Sequence, residues 1–284
     1  MALSAQTQLC GVLGNPVKHS LSPAIHNAAF QELHLDFVYL AFQVEHIQPA
    51  IEGIRALGNI RGFSVTIPHK VSAIPFLDTI DPTAKQIGAI NTIVKQEGQL
   101  LGINTDSAGA IRALREAGIH PQDERITLIG SGGAARAIAF GLAIDSNIPS
   151  LSLLGIDETE LNILANDLRE RTGITVSVKK LEAPSLKPTL AESSLLIHCT
   201  PIGMSPKTEE TCIPQEWLHS GLTVMDIVYN PLETRLLREA KTIGARTIPG
   251  IEMFLYQAVI QFELWTERPA PVSLMRKVLE SQFS

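Results

Sequence analysis

The 284-residue chain is poor in cysteine and aromatic residues, and only 18% of it is charged. Its three cysteines, Cys10, Cys199 and Cys212, lie far apart, and none stands in a Cys-x-x-Cys pair. That spacing excludes a disulfide framework and a cysteine zinc site, and makes a reducing compartment the default. Eight histidines are present without a His-Glu-x-x-His or similar paired spacing. No metal is therefore expected, and the histidines read as surface or packed residues. Basic residues are outnumbered 23 to 29, for a net charge of −6. A nucleic-acid partner, which needs a basic face for its phosphates, is not expected. No apolar run approaches the ~18 residues of a membrane span, and the start of the chain lacks a basic region followed by an apolar one. The expectation is a cytoplasmic protein without membrane or nucleic-acid partners.

What is present is an ordinary apolar fraction, 45%, in a chain long enough for two domains. Strands are expected at residues 8–13, 37–42, 62–67 and 89–94, with helices following Pro23 and over 47–57. Proline is well placed in a first helical turn, where its missing N–H removes no bond. From about Ser107 the pattern becomes regular. Helices over 108–117, 132–142, 158–172 and 232–243 alternate with strands at 125–129, 151–154, 176–178, 195–199, 223–227 and 246–248. Such alternation predicts a parallel sheet covered on both faces, an α/β fold. Residues 251–284 are helical without strands. The expected division is a first domain of residues 1–106, completed by C-terminal helices 251–284 that return to it, and a second of residues 107–250.

Ile126-Thr-Leu-Ile-Gly130-Ser131-Gly132-Gly133-Ala134-Ala135 is an apolar strand running into a glycine-rich turn and a helix. Glycine lets backbone approach a pyrophosphate, and the helix N-terminus offers it free N–H groups, so this reads as a Rossmann-type dinucleotide cradle. Asp157 ends the next strand, 24 residues beyond Gly133. A carboxylate there accepts hydrogen bonds from ribose hydroxyls and repels a 2′-phosphate. With no Lys or Arg at residues 155–161, NAD is favoured and NADP is the alternative. Asp157 also reads as the cap of the helix that starts at Glu158.

Two other segments put polar groups where strands run out: Gly11–Asn27, with Ser20 and Ser22, and Gly62-Phe-Ser-Val-Thr-Ile-Pro-His-Lys70. Asp106 ends Gly102-Ile-Asn-Thr-Asp. Removing hydride from an alcohol carbon requires a proton acceptor for the hydroxyl, and a lysine with a carboxylate neighbour suits that task. From spacing alone, Lys70 and Asp106 read first as a surface lysine and a helix-capping aspartate.

Eight ordered segments carry a more specific signal. They are Ser20-Leu-Ser22-Pro23, Val65-Thr-Ile-Pro-His-Lys70, Gly88-Ala-Ile-Asn91-Thr92, Asn104-Thr-Asp106, Gly130-Ser-Gly-Gly-Ala134, Thr200-Pro-Ile-Gly-Met204, Asp226-Ile-Val-Tyr229-Asn-Pro231 and Gly250-Ile-Glu-Met-Phe-Leu-Tyr-Gln257. Through them the chain resembles the shikimate dehydrogenase family, which includes quinate/shikimate dehydrogenases. The wording is most similar to the dehydrogenase half of plant bifunctional dehydroquinate dehydratase–shikimate dehydrogenases. The resemblance implies an N-terminal α/β substrate domain followed by a doubly wound dinucleotide-binding domain. It implies that Lys70 and Asp106 are the catalytic pair, that Ser20, Ser22 and Tyr229 hold a substrate carboxylate, and that Thr66, Asn91 and Gln257 meet ring hydroxyls. Gly130, Ser131, Gly132, Gly133, Ala134, Asp157, Thr200, Met204 and Gly250 would then face the cofactor. The implied partners are shikimate and 3-dehydroshikimate, with quinate as the alternative substrate, for a monomer or homodimer in aromatic amino-acid biosynthesis. A non-catalytic metabolite sensor is the contrasting reading, against which the retention of both Lys70 and Asp106 argues.

Three positions depart from the family's wording. Ser64 replaces an asparagine and is expected to alter a ring-hydroxyl contact. His198 replaces an asparagine and reads as a packing residue. Gly155-Ile156-Asp157 stands where an Asn-Arg-Thr stretch would grip the NADP phosphate, which moves the chain toward NAD.

Overall fold

The computed structural model describes residues 3–283. The chain divides into two compact units, one running to Thr105 and resuming at Gln257, the other spanning Asp106–Tyr256. The sequence reading drew these limits at 106/107 and 250/251; the units meet at 105/106 and 256/257, so Asp106 and the first turns of the long C-terminal helix go with the second unit.

In the first unit β1 (Gln8–Gly14), α1 (Ser22–Glu32), β2 (Phe37–Gln43), α2 (Ile47–Ala56) and β3 (Ile60–Val65) follow one another. Pro23 falls in the first turn of α1. The short helix α3 (His69–Ser72), the two-residue strand β4 (Thr79–Ile80), α4 (Pro82–Ile87), β5 (Thr92–Gln96) and β6 (Gln99–Ile103) come next. The strand order is β2-β1-β3-β5-β6-β4. Here β5 runs antiparallel to both β3 and β6. The cause is local: Glu97 (φ 51) and Gly98 (φ +81) turn β5 back into β6 through two left-handed residues, and a tight hairpin makes its strands antiparallel. β3 stops at Val65 rather than 67, and β5 starts at Thr92 rather than 89. Thr66 and Asn91 are therefore loop residues at neighbouring strand ends.

One face of this sheet buries Ile47, Ile51 and Ile54, spaced along one side of α2, against Phe63, Ile93 and Leu100. Each such side chain contributes about 1.5–3 kcal/mol when fully buried. Elsewhere in the unit Phe30, Tyr39, Phe262 and Trp265 form an aromatic cluster. Gly62 makes that closure feasible, because any Cβ there would lie 2.2 Å from Trp265 Nε1 and from the carbonyl oxygen of Ile93. With no side chain in the way, Trp265 Nε1 donates to Ile93 at 3.1 Å.

The second unit takes up α5 (Thr105–Glu116) from Asp106 onward. It continues with β7 (Ile126–Ile129), α6 (Gly133–Asp145), β8 (Ser150–Gly155), α7 (Glu158–Thr172), β9 (Thr175–Lys180) and α8 (Ala183–Glu192). β10 (Leu195–His198), β11 (Thr223–Asp226), α9 (Arg235–Thr242) and β12 (Arg246–Pro249) complete the sheet. α10 (Gly250–Thr266) crosses into the first unit, and α11 (Val272–Ser281) belongs to it. The strands lie in the order β12-β11-β10-β7-β8-β9, all parallel. Counted from β7 this is 3-2-1-4-5-6, the doubly wound dinucleotide-binding order, and the order reverses between β7 and β10. α7 spans the predicted residues because Asp157 caps one end, accepting from Glu160 N–H at 2.9 Å, and Gly173 (φ +76) stops the other. Among the described residues no helix is long and apolar enough to cross a membrane.

Candidate active site

In the first unit the polar residues gather at strand ends and helix starts. Ser20 and Ser22 sit at the beginning of α1, where Ser22 N–H donates to Ser20 Oγ at 3.3 Å. No side chain caps this helix and its first turn holds no acidic residue, which leaves a positive helix end beside two hydroxyls. Thr66 follows β3, its N–H bonded to the Leu13 carbonyl at 2.9 Å. Lys70 lies in α3, anchored by a 2.8 Å bond from Ile90 N–H to its own carbonyl. The preceding His69 is held by Nε2 at 2.7 Å from the Val44 carbonyl. Gln257 is buried on α10.

Asn91 is the most constrained of these residues. Its Oδ1 accepts from Thr105 N–H at 2.7 Å, Thr92 Oγ at 2.9 Å and Thr105 Oγ at 3.1 Å. Asn104 Nδ2 holds the loop before it through the Ala89 carbonyl at 3.0 Å. Ser64, expected at a substrate hydroxyl, is engaged inside the protein. It donates to Gln261 Oε1 at 2.8 Å and accepts from Tyr39 OH at 2.7 Å. Burial pushes the Tyr39 phenol up, against opposing hydrogen bonding from Ser64 and Ser22. Sequence reasoning passed over Gln261. Its signal was the four-residue spacing Gln257, Gln261, Trp265, which puts three hydrogen-bonding side chains on one stripe of α10.

In the second unit Gly130 ends β7 with φ +121, and a Cβ there would lie 2.9 Å from the Cys199 carbonyl oxygen at the end of β10. Only glycine suits that place, at the point where strand order reverses. Gly132 and Gly133 are exposed, and open space lies where their side chains would be. α6 begins there without a side-chain cap, with Ala134 in its first turn. Open glycines and uncapped N–H groups fit a dinucleotide pyrophosphate. Ser131 Oγ donates to Glu160 Oε2 at 2.9 Å, which brings a second carboxylate beside the turn in addition to Asp157. Asp106 stands in the first turn of α5.

Beyond β10, Thr200 Oγ accepts from Ile202 N–H at 3.3 Å, and Met204 is exposed a turn later. Tyr229 is partly exposed with its ring centroid 5.1 Å from that of Phe254, and burial raises its phenol pKa. Gly250 opens α10 with the Ile227 carbonyl oxygen only 2.4 Å from where a Cβ would begin. His198 corrects the sequence reading. It is no inert packing residue: register pairs it with Asp226 on the neighbouring strand, and Nδ1 lies 2.9 Å from Asp226 Oδ1. Nε2 faces Thr200 Oγ at 2.5 Å. Burial alone would lower its pKa, but Asp226, with help from Cys212, outweighs it and raises the pKa to about 9. Among the described residues no group of three or more His, Cys, Asp or Glu could hold a metal.

A family model described as the shikimate dehydrogenase substrate binding domain matches residues 12–93, and one for the shikimate 5′-dehydrogenase C-terminal domain matches residues 250–280. A protein of Desulforamulus reducens named shikimate dehydrogenase (NADP(+)) is 43% identical, over 99% of this chain and 98% of its own. The chain belongs to the shikimate dehydrogenase family. A crystal structure of a shikimate dehydrogenase in complex with NADP+ superposes with a TM-score of 0.93 at 38% identity, covering 100% of this chain and 98% of its own. The Listeria monocytogenes shikimate 5-dehydrogenase, solved with shikimate and NAD, gives 0.94 at 36% identity over 98% of both chains. Family membership makes the chain an oxidoreductase that uses a nicotinamide cofactor.

Proposed function

We propose that this chain catalyses the reversible oxidation of shikimate to 3-dehydroshikimate with a nicotinamide dinucleotide. The observation that carries the reading is kinship over nearly the whole length with enzymes of that name, with Lys70 and Asp106 standing in the segments through which the chain resembles the family. Lys70 takes the hydroxyl proton as hydride leaves the ring carbon and returns it in the reverse direction, with Asp106 as its supporting carboxylate. Ser20 and Ser22, at the positive end of α1, bind the substrate carboxylate together with Tyr229. Thr66, Asn91 and Gln257 bind ring hydroxyls, and a wrong isomer would fail to make these bonds. The nicotinamide, when bound, supplies the hydride acceptor or donor. Gly130, Ser131, Gly132, Gly133 and Ala134 hold the pyrophosphate through backbone N–H groups, while Thr200, Met204 and Gly250 bound the nicotinamide end.

For the choice of dinucleotide we favour NAD. Asp157 and Glu160 put two carboxylates beside the turn, and residues 155–161 include no base. The Desulforamulus relative carries NADP(+) in its name, so the choice rests on this chain's own residues. Lys180, paired in register with Gly155 on the neighbouring strand, is the base through which a 2′-phosphate would be accepted.

Initial rates with shikimate and with quinate, each with NAD and with NADP, test the assignment. The expected result is shikimate turnover, faster with NAD; no turnover of shikimate with either cofactor overturns the assignment, and turnover with NADP alone overturns the cofactor choice. A Lys70→Ala variant should lose at least about 100-fold in kcat. Asp157→Ala should erase the preference for NAD.

A further inference from the structure

His198 and Asp226 end neighbouring parallel strands, and register sets them side by side. The strand order reverses between β7 and β10, so the loop leaving β10 borders the crevice where a doubly wound sheet takes its ligand. Thr200 is the second residue of that loop and is only partly buried. Asp226 fixes the ring tautomer. Its Oδ2 accepts from Thr234 Oγ at 2.7 Å, and its Oδ1 accepts from Val228 N–H at 3.1 Å and from His198 Nδ1 at 2.9 Å. A carboxylate only accepts, so Nδ1 keeps a proton in either charge state of the ring. The titrating proton is therefore the one on Nε2, which faces Thr200 Oγ at 2.5 Å.

The Thr200 hydroxyl has one proton and two lone pairs. One lone pair takes Ile202 N–H at 3.3 Å, and among the described residues His198 is the other partner. When Nε2 is protonated it donates to the second lone pair, and the hydroxyl proton is left for a ligand. When Nε2 is bare the hydroxyl turns its proton to the ring and offers a ligand only a lone pair.

We propose that His198 is a positioning residue for the dinucleotide: its protonated form makes Thr200 a hydrogen-bond donor to the cofactor, and loss of that proton weakens binding. The inference rests on the reading that Thr200 bounds the nicotinamide end. Deprotonation also leaves the Asp226 charge unbalanced at the crevice of an anionic ligand, which acts in the same direction. Of the titratable groups facing the ring, Asp226 on β11 and Cys212, between β10 and β11, raise its pKa to about 9 against burial. Cys199, next in the chain, is buried, and burial pushes its thiol up out of that range. The asparagine of the family's wording has no such proton, so the pH sensitivity belongs to this chain.

Fluorescence titration of the full-length protein with NADH from pH 7 to 10 tests this, with NADPH in its place should the cofactor choice fall. Kd should be level below about pH 8 and rise about 10-fold as pH passes about 9. By linkage, saturating dinucleotide should move the His198 midpoint in imidazole NMR to about tenfold lower proton concentration, which a purely structural ion pair does not do. His198→Asn should show a Kd that is level over the same range. Cys212→Ala should keep the rise, displaced to lower pH; if the rise vanishes, the thiol causes it and the proposal is overturned. Thr200→Val separates the two ideas. If it leaves Kd at pH 7 unchanged, the placement of Thr200 falls and the proposal with it. If it raises Kd at pH 7 while the parent's Kd stays level to pH 10, the proposal alone is overturned. The parent's own pH profile decides the matter even if His198→Asn does not fold.

Discussion

Each unit of this protein buries a histidine, and the two are opposite in charge behaviour. His26 in the first unit is wholly buried among aromatic rings, stacked on Tyr39 at 4.5 Å with Trp265 at 5.3 Å. Neither ring nitrogen has a hydrogen-bond partner among the described residues, and burial lowers the pKa to about 3. His198 in the second unit is 2% exposed, yet its pKa rises to about 9 because Asp226 lies beside it. Burial penalises the charged form in both; the partner decides which way the equilibrium goes. A buried imidazole among rings stays neutral, whereas one placed by strand register against a carboxylate becomes half of an ion pair.

The contrast is broken most severely by removing the partner. Asp226→Asn should lower the His198 pKa below its ordinary value, so that the ring gives up its proton, and should destabilise the protein by about 1–3 kcal/mol through the buried hydrogen bonds that are broken. Urea denaturation and imidazole NMR titration measure both. Asp226 also accepts from Thr234 Oγ at 2.7 Å and Val228 N–H at 3.1 Å, so the loss includes those bonds.

The pH dependence of stability should show two limbs of opposite origin. His26 binds its proton more readily when unfolded, so its contribution is whole above pH 6.5 and is lost as pH falls toward about 3. The slope is up to about 1.4 kcal/mol per pH unit. His26→Phe, which keeps a ring in the aromatic box, should flatten this acid limb by up to one proton. His198 has the reverse sign: its stabilisation is fully present below pH 6.5 and is lost as pH rises through about 9. Unfolding midpoints of the parent and His198→Asn from pH 6 to 10 should differ less as pH rises, and a difference that stays constant would refute the ion pair. The smallest effect belongs to Thr234, which caps α9 through Leu237 N–H as well as binding Asp226. Thr234→Ala should cost about 1 kcal/mol, seen as a lower unfolding midpoint.

Several elements were plain from local signals. α7 carries its own cap and stop, the Gly130–Ala135 turn announces a strand, a turn and a helix, and Gly118 (φ +73) marks the end of α5. Others gave no periodic signal. β4 has two residues, too few for a pattern, and α8 holds Pro188 in its interior, which by local rules reads as a break. Motif residues such as Lys70, Asn91 and Asp106 were open to proposal from the sequence. Gln261 and Ser64 were not, because their roles depend on partners far away in the chain.

The amino-acid sequence by itself determined the alternation of strands and helices, the glycine cradle with its capping Asp157, and the set of residues that mark the family. These are short-range matters of propensity, turn chemistry and spacing. Only the tertiary structure decided that β5 runs against β3, that Asp226 raises the His198 pKa while burial lowers that of His26, and that the Asn91 side-chain oxygen accepts from Thr105. Each of these depends on which groups from distant segments meet in a dry interior. There a hydrogen bond or a countercharge cannot be replaced by water, and the partner a group finds settles its orientation and its charge.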